Sequence, residues 1–317
     1  MRNRIEGEYW RSFFLLGFSI YAALLAGCMS ERKESPTKGH LIIAVSESVS
    51  PVIEQEKLTF EELYVQAKID LQITSTREAI ARLFNDSILV IVSSRPLNQE
   101  EREIQKKYHL AMDEYKIAID GVAIVVNKEN PISQLRTTQL DSVFRGVLSS
   151  WATLGWEGST GPIEICLPDR NSGLHEIVWN KILHGHPFAL PTVVTQSSPE
   201  MLKYVWEHSN SVGMVGMNWI HENKGAVKVL ELSDPEAPDS LGIRGEYYGP
   251  HQAHLYRGYY PLISDVYIYS RADRYGVGAG FIAFITSGAG QKIVLNSGLV
   301  PATMPVRLVE VTSRSLE

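Results

Sequence analysis

The chain has 317 residues, 44% apolar and 21% charged, an ordinary globular composition with enough material for two hydrophobic cores. Its net charge of -6 comes without a basic stripe, so the electrostatic footprint of a nucleic-acid binder is missing and no nucleic-acid partner is expected. The two cysteines, Cys28 and Cys166, exclude a disulfide scaffold, because the first falls inside a processing signal.

Arg2, Arg4 and Arg11 precede an apolar run, SFFLLGFSIYAALLA (12–26), which is too short for a comfortable bilayer span and reads as a secretory signal over 1–27. It ends in LAGC (25–28), which resembles the lipobox of bacterial lipoproteins. That resemblance implies a lipid on Cys28, a membrane attachment through it, and an extracytoplasmic location. The polar stretch that follows suits a tether over 28–39.

From His40 onward, short apolar runs alternate with longer amphipathic ones, the pattern of an α/β sheet. LIIAVS (41–46) predicts a buried strand, followed by a helical stretch running through Phe60 to Ala67. KIDLQI (68–73) predicts a strand, REAIARLF (77–84) a helix, and SILVIVSS (87–94) a continuous strand of the parallel kind. NQEEREIQKKY (98–108) predicts a helix opened by Pro96. Tyr115 to Asn127 reads as two extended runs broken at Asp120-Gly121, long enough to leave one lobe and enter another. Next come a helix near 137–144, a strand PIEICL (162–167), a helix after Ser172, a helix at 199–206 and VGMVGM (212–217). YYPLISDVYIYS (259–270) supplies a return crossing. Two crossings predict two lobes, 40–119 plus 264–317 and 120–263, with a ligand cleft between them.

Four turns place Ser or Thr at a strand-to-helix junction: Ser46-Glu47-Ser48, Thr74-Ser75-Thr76, Ser93-Ser94-Arg95 and Ser172-Gly173. Each alone is either a plain helix cap or an anion-receiving mouth. Arriving from both lobes, the four together surround a small oxyanion with hydroxyls and backbone amides, and Arg95 either adds charge-assisted bonds to it or closes the mouth between the lobes. Such a site needs no cofactor, metal or nucleophile. His175 and Glu176 near Ser172 lack a G-x-S-x-G elbow, so no enzyme is expected. His184 with His186, and His251 with His254, have no Cys partner or third ligand and are read as surface polar groups. GVGAG (276–280) is read as close helix packing, Cys166, Trp151 and Trp219 as core, and EYYGPHQAHLYRGYYP (246–261) as a lip or partner surface.

SSRPLNQEE (93–101), AIDGVAIVVNKENP (118–131), LDSVFRGVLSSWATLG (140–155), NSGLHE (171–176), SVGMVGMNWI (211–220) and GVGAGFIAFITSGAGQKIVLNSGLVP (276–301) run through nearly the whole mature chain. In these blocks the sequence resembles the periplasmic phosphate-binding proteins of ABC importers, in the branch with an SSRPL motif. The resemblance implies a type II periplasmic binding fold: two α/β lobes joined by two hinge strands, closing over phosphate or a related tetrahedral oxyanion and presenting it to a permease. It implies ligand contacts from Ser46, Ser48, Val49, Thr74, Ser75, Thr76, Ser94, Arg95, Asp120, Arg170, Ser172, Gly173 and Leu174. The alternative reading is a lipid-tethered binding or sensor module of the same fold that no longer serves transport. The chain departs from the family at Leu174, where a Thr is usual, at Pro168, where an Arg is usual and Arg170 is the substitute, and at Ser94, where many members carry an Asp. Asp120 and Asp169 remain as acidic acceptors, and selectivity for phosphate over sulfate is expected to be weaker.

Overall fold

The computed structural model describes residues 34–305, apart from 224 and 226. The signal at 1–27, the first half of the tether (28–33, with Cys28) and 306–317 lie outside the described residues.

The first lobe opens with β1 (Lys38–Ser46), α1 (Ser50–Leu63), β2 (Gln66–Thr74), α2 (Thr76–Phe84), β3 (Val90–Ser93) and α3 (Gln99–Lys107). Period-two alternation sends Ile43 and Val45 into one core with Phe60 and Phe281, while Ala44 between them joins Ile80 and Leu83 on the other face. The helix expected to reach Ala67 stops at Leu63, because Ala67 is a buried residue of β2, whose residues pair in parallel register with Lys38–Ser46. Pro96 does not open α3. Asn98 does, through a capping box in which Asn98 and Glu101 satisfy each other's backbone amides.

The crossing strand β4 (Asp113–Val126) is continuous through Asp120-Gly121, so the expected break is absent. Its first part pairs antiparallel with β11 (Ile263–Ser270), and Val122–Val126 pairs antiparallel with β8 (Ser211–Gly216). Gly121 is needed here for closeness: a Cβ would stand 2.8 Å from Leu255 Cδ2. The second lobe adds β5 (Gln134–Arg136), α4 (Thr137–Phe144), β6 (Glu164–Pro168), α5 (Gly173–Lys181), β7 (Val193–Thr195) and α6 (Ser198–Glu207). After β8 come α7 (Met217–Glu222), β9 (Lys228–Val229), β10 (Glu231–Ser233) and α8 (Gln252–Arg257). The chain then returns through β11 to α9 (Val277–Thr286), α10 (Gly288–Asn296) and β12 (Val300–Pro301).

The main sheet runs β2-β1-β3-β11-β4-β8-β6-β7, with β9 and β12 also on β4. β3 is parallel to β1 but antiparallel to β11, so the parallel reading of that strand holds on one side only. In the second lobe Val122 and Ile124 pack with Trp151 and Phe144, and Ala123 and Val125 pack on the opposite face with Cys166 and Val205. The aromatic loop at 246–261 is partly internal: Tyr260 is fully buried and donates to the Val122 carbonyl at 2.8 Å. The GVGAG run packs tightly, since a Cβ on Gly280 would fall 1.8 Å from the Pro36 carbonyl oxygen.

Candidate functional site

A cavity of about 440 Å³ opens between the lobes. The first lobe lines it with Glu47 and Ser48, on the short 3-10 turn after β1, and with Thr74, Ser75 and Thr76, which join β2 to α2. The second lobe lines it with Asp169, Asn171 and Ser172 before α5, and with Thr195 to Ser198 where β7 enters α6. The sheet carries these strand ends to one edge, and two helix N-termini of the second lobe face the first.

At the mouth of α5 the Ser172 hydroxyl accepts from the Leu174 amide at 3.3 Å, the plain cap. The Gly173 amide reaches across the cleft to Thr76 Oγ1 at 3.1 Å, and Thr76 Oγ1 lies 2.9 Å from Ser94 Oγ. The Arg77 amide donates to the Asn171 carbonyl at 3.1 Å, a backbone bond between lobes. Gly173 alone fits this contact, because a Cβ there would stand 2.3 Å from Ser94 Oγ and 2.8 Å from Thr76 Oγ1.

At the mouth of α6 the first-lobe carboxylate of Glu47 accepts from the Ser198 amide at 2.7 Å and the Ser198 hydroxyl at 3.0 Å. Burial pushes the Glu47 carboxyl above the usual range, against the lowering effect of the two Ser198 bonds. Asn218 Nδ2 donates to the Ser48 carbonyl at 2.7 Å and Trp219 Nε1 to the Glu47 carbonyl at 3.3 Å, which pins the turn that presents both residues. Ser48 Oγ and Thr195 Oγ1 are buried without a hydrogen-bond partner among the described residues. The described residues lining the cavity include the acids Glu47, Glu78 and Asp169 and no Lys, Arg or His.

Of the residues expected at the site, Ser48, Thr74, Ser75, Thr76, Ser172 and Leu174 line the cavity, and Gly173 backs it. Ser46 and Ser94 stand a layer behind, the Ser94 amide donating to Ser46 Oγ at 3.3 Å. Val49 is core, preceding α1. Arg95 is turned elsewhere: it holds Glu101 in a two-pronged pair at 2.7 and 2.8 Å and Glu176 of α5 at 2.7 Å, so it bridges the lobes beside the cavity. Asp120 is a fully buried hinge residue accepting from the Gly121 and Met217 amides at 2.7 and 3.1 Å, and burial pushes its carboxyl up to about 7. Arg170 lines a separate depression with His175 and Phe188. Glu47, Asn171, Thr195, Ser197 and Ser198 were not anticipated. The run SSPE (197–200), with a Ser cap and a Pro in the first turn, is the helix-start signal that marks the last pair.

A family model described as a PBP superfamily domain matches residues 30–289. The chain belongs to the PBP superfamily. Among curated members of similar sequence, Protein SphX of Synechococcus elongatus is 23% identical over 287 residues, covering 88% of this chain and 82% of that protein. The phosphate-binding protein PstS of Staphylococcus saprophyticus is 24% identical over 246 residues, covering 76% and 72%. Among solved structures, a candidate phosphate ABC transporter substrate-binding protein from Clostridium perfringens with bound phosphate superposes with a TM-score of 0.71 at 20% identity, covering 83% of this chain and 100% of that one. An ABC-type phosphate transport receptor from Vibrio cholerae gives 0.63 at 20% identity, covering 84% and 100%. This PBP-superfamily chain therefore has the type II fold, two α/β lobes joined by hinge strands, that its sequence blocks imply.

Proposed function

We propose that the protein is a non-enzymatic, extracytoplasmic solute-binding protein, tied to a membrane through a lipid on Cys28, that binds phosphate or a related tetrahedral oxyanion for an ABC importer. One observation carries the reading: hydroxyls from both lobes and two helix N-termini converge on a single inter-lobe cavity. The names of the relatives, phosphate-binding proteins and phosphate-transport receptors, support the ligand class and the transport role. We set the lobe boundaries at the two crossing strands, with 40–119 and the described residues from 264 onward on one side and 120–263 on the other.

A thermal-shift panel of phosphate, sulfate, molybdate and phosphonates tests the ligand, because a compound that binds only the folded state raises its apparent stability by mass action. A melting temperature unmoved by every anion at millimolar concentration would remove the reading. The anchor is tested apart from it: Cys28→Ser should move the protein out of the membrane fraction, and a variant that stays there uncleaved would end the lipoprotein assignment.

A further inference from the structure

The lining of the cleft is chemically lopsided. A bare oxyanion entering it meets Glu47 and Asp169 and, among the described lining residues, no cationic side chain. Arg95, the guanidinium that could have compensated, is already shared between Glu101 and Glu176. The two helix N-termini lend an anion partial positive charge, but the Gly173 amide is already taken by Thr76 and the Ser198 amide by Glu47, so a cation brought by the ligand itself would offset the carboxylates.

A second, independent observation points to an extended ligand. Ser48 Oγ in the first lobe and Thr195 Oγ1 in the second line this cavity, and both are buried with no partner among the described residues. Buried hydroxyls are normally paired, so two orphans from opposite lobes call for a molecule that reaches both. Glu47 has room for such a molecule as well, since its two oxygens accept one bond each from Ser198 and a carboxylate offers about four acceptor positions.

We propose that the ligand of this cleft is an oxyanion carrying an amine-bearing organic substituent, an aminoalkylphosphonate or the phosphate ester of an amino alcohol, and that Glu47 recognises its ammonium group. The proposal rests on the oxyanion reading above and narrows it. The anionic head takes the hydroxyls of Ser48, Ser75 and Ser172, and the ammonium end turns toward Glu47 and the Thr195 hydroxyl, with Asp169 adding negative potential. The carboxyl of Glu47, raised by burial, gains the cation that the protein itself withholds. The near-neutral charge of such a zwitterion matches a lining of hydroxyls and acids better than a dianion does.

Titration calorimetry on the full chain, with inorganic phosphate, methylphosphonate, 2-aminoethylphosphonate and phosphoethanolamine, decides it. The two amine-bearing compounds should bind about tenfold or more tighter than methylphosphonate and phosphate, one well-placed charged contact being worth that much. In Glu47→Gln the preference for 2-aminoethylphosphonate over methylphosphonate should shrink to within about threefold, and Asp169→Asn should reduce it in the same direction should the first variant not fold. Phosphate or methylphosphonate binding as tightly as the amines in the native chain would overturn the proposal while leaving the oxyanion reading in place. A preference undiminished in the folded Glu47 variant would overturn the assignment to that residue. No heat with any of the four would bring down the oxyanion reading and this proposal together.

Discussion

Arg95→Ala strips out a guanidinium that holds two carboxylates at once. Three charge-assisted contacts of 2.7, 2.8 and 2.7 Å disappear, along with the bond to the Pro96 carbonyl at 2.9 Å. The side chains involved are 4%, 10% and 12% exposed, so Glu101 and Glu176 are left near one another with little water to screen them. Among the described residues Asn98 still donates, its amide to Glu101 and its Nδ2 to Glu176, both at 2.8 Å, and the half-exposed Arg77 stands 3.9 Å from Glu176. Removing one side of a buried pair costs about 3–5 kcal/mol. Urea unfolding followed by tryptophan fluorescence should show that loss with an unchanged slope, a midpoint lower by about 1 M or more at a slope near 3 kcal/mol per molar. Adding Glu101→Gln and Glu176→Gln should restore part of it, since the repulsion goes with the charges. A loss below about 1 kcal/mol, beyond the usual range for buried pairs, combined with a collapse of anion binding, would show that the guanidinium faces the ligand and that the inter-lobe account is wrong.

Thr195→Val replaces an orphaned buried hydroxyl by a methyl of the same shape. It should raise the ligand-free stability by about 1–2 kcal/mol while weakening ligand binding, and a variant that is less stable would mean that Oγ1 has a partner. Gly173→Ala puts a Cβ 2.3 Å from Ser94 Oγ, so small-angle scattering should report a wider ligand-free molecule, and an unchanged radius would show that the lobes do not meet there. Both carboxyl oxygens of Glu56 are buried without a partner among the described residues, and burial pushes the group up to about 9 from an ordinary 4.5. A folded-state value above the unfolded one gives stability that is complete below pH 4.5 and is lost as pH climbs to about 9. Glu56→Met should therefore raise the urea midpoint more at pH 8 than at pH 5, and an equal gain at both would refute the assignment.

Strand and helix order was legible because burial marks the sequence: Ile43, Ala44 and Val45 form a continuous apolar run, as a strand covered on both faces requires, and that run can be read without knowing the partners on either face. The Asp120-Gly121 pair misled for the opposite reason. A turn signal there is overridden by Leu255 packing on the glycine and by ladders on both sides of the strand. At the site, hydroxyls at strand-to-helix turns were readable as caps, and six of the expected residues do line the cavity. Glu47 was passed over although it stands between two residues that were named. Its role depends on Ser198, 151 positions along the chain, and local pattern carries no such information. For Arg95 two roles were open, contact with the anion or closure of the mouth between the lobes, and its pairing follows the second; the sequence could not choose, because the acid that draws it across, Glu176, lies on a helix whose position only the folded sheet determines.

The cross-lobe bonds at the two helix mouths make ligand capture an exchange reaction. The Gly173 amide already has the Thr76 hydroxyl, and the Ser198 amide already has a carboxylate. A solute gaining either donor must evict a resident of the other lobe, so each new bond adds only the margin between two similar contacts, about 1 kcal/mol or less. The same residents hold the lobes together until they are displaced, and the rate of parting then limits how fast a solute can enter or leave. Loosening one resident, as Thr76→Ala or Glu47→Ala would, frees a donor and speeds entry, at the cost of a cleft that no longer stays shut on its own.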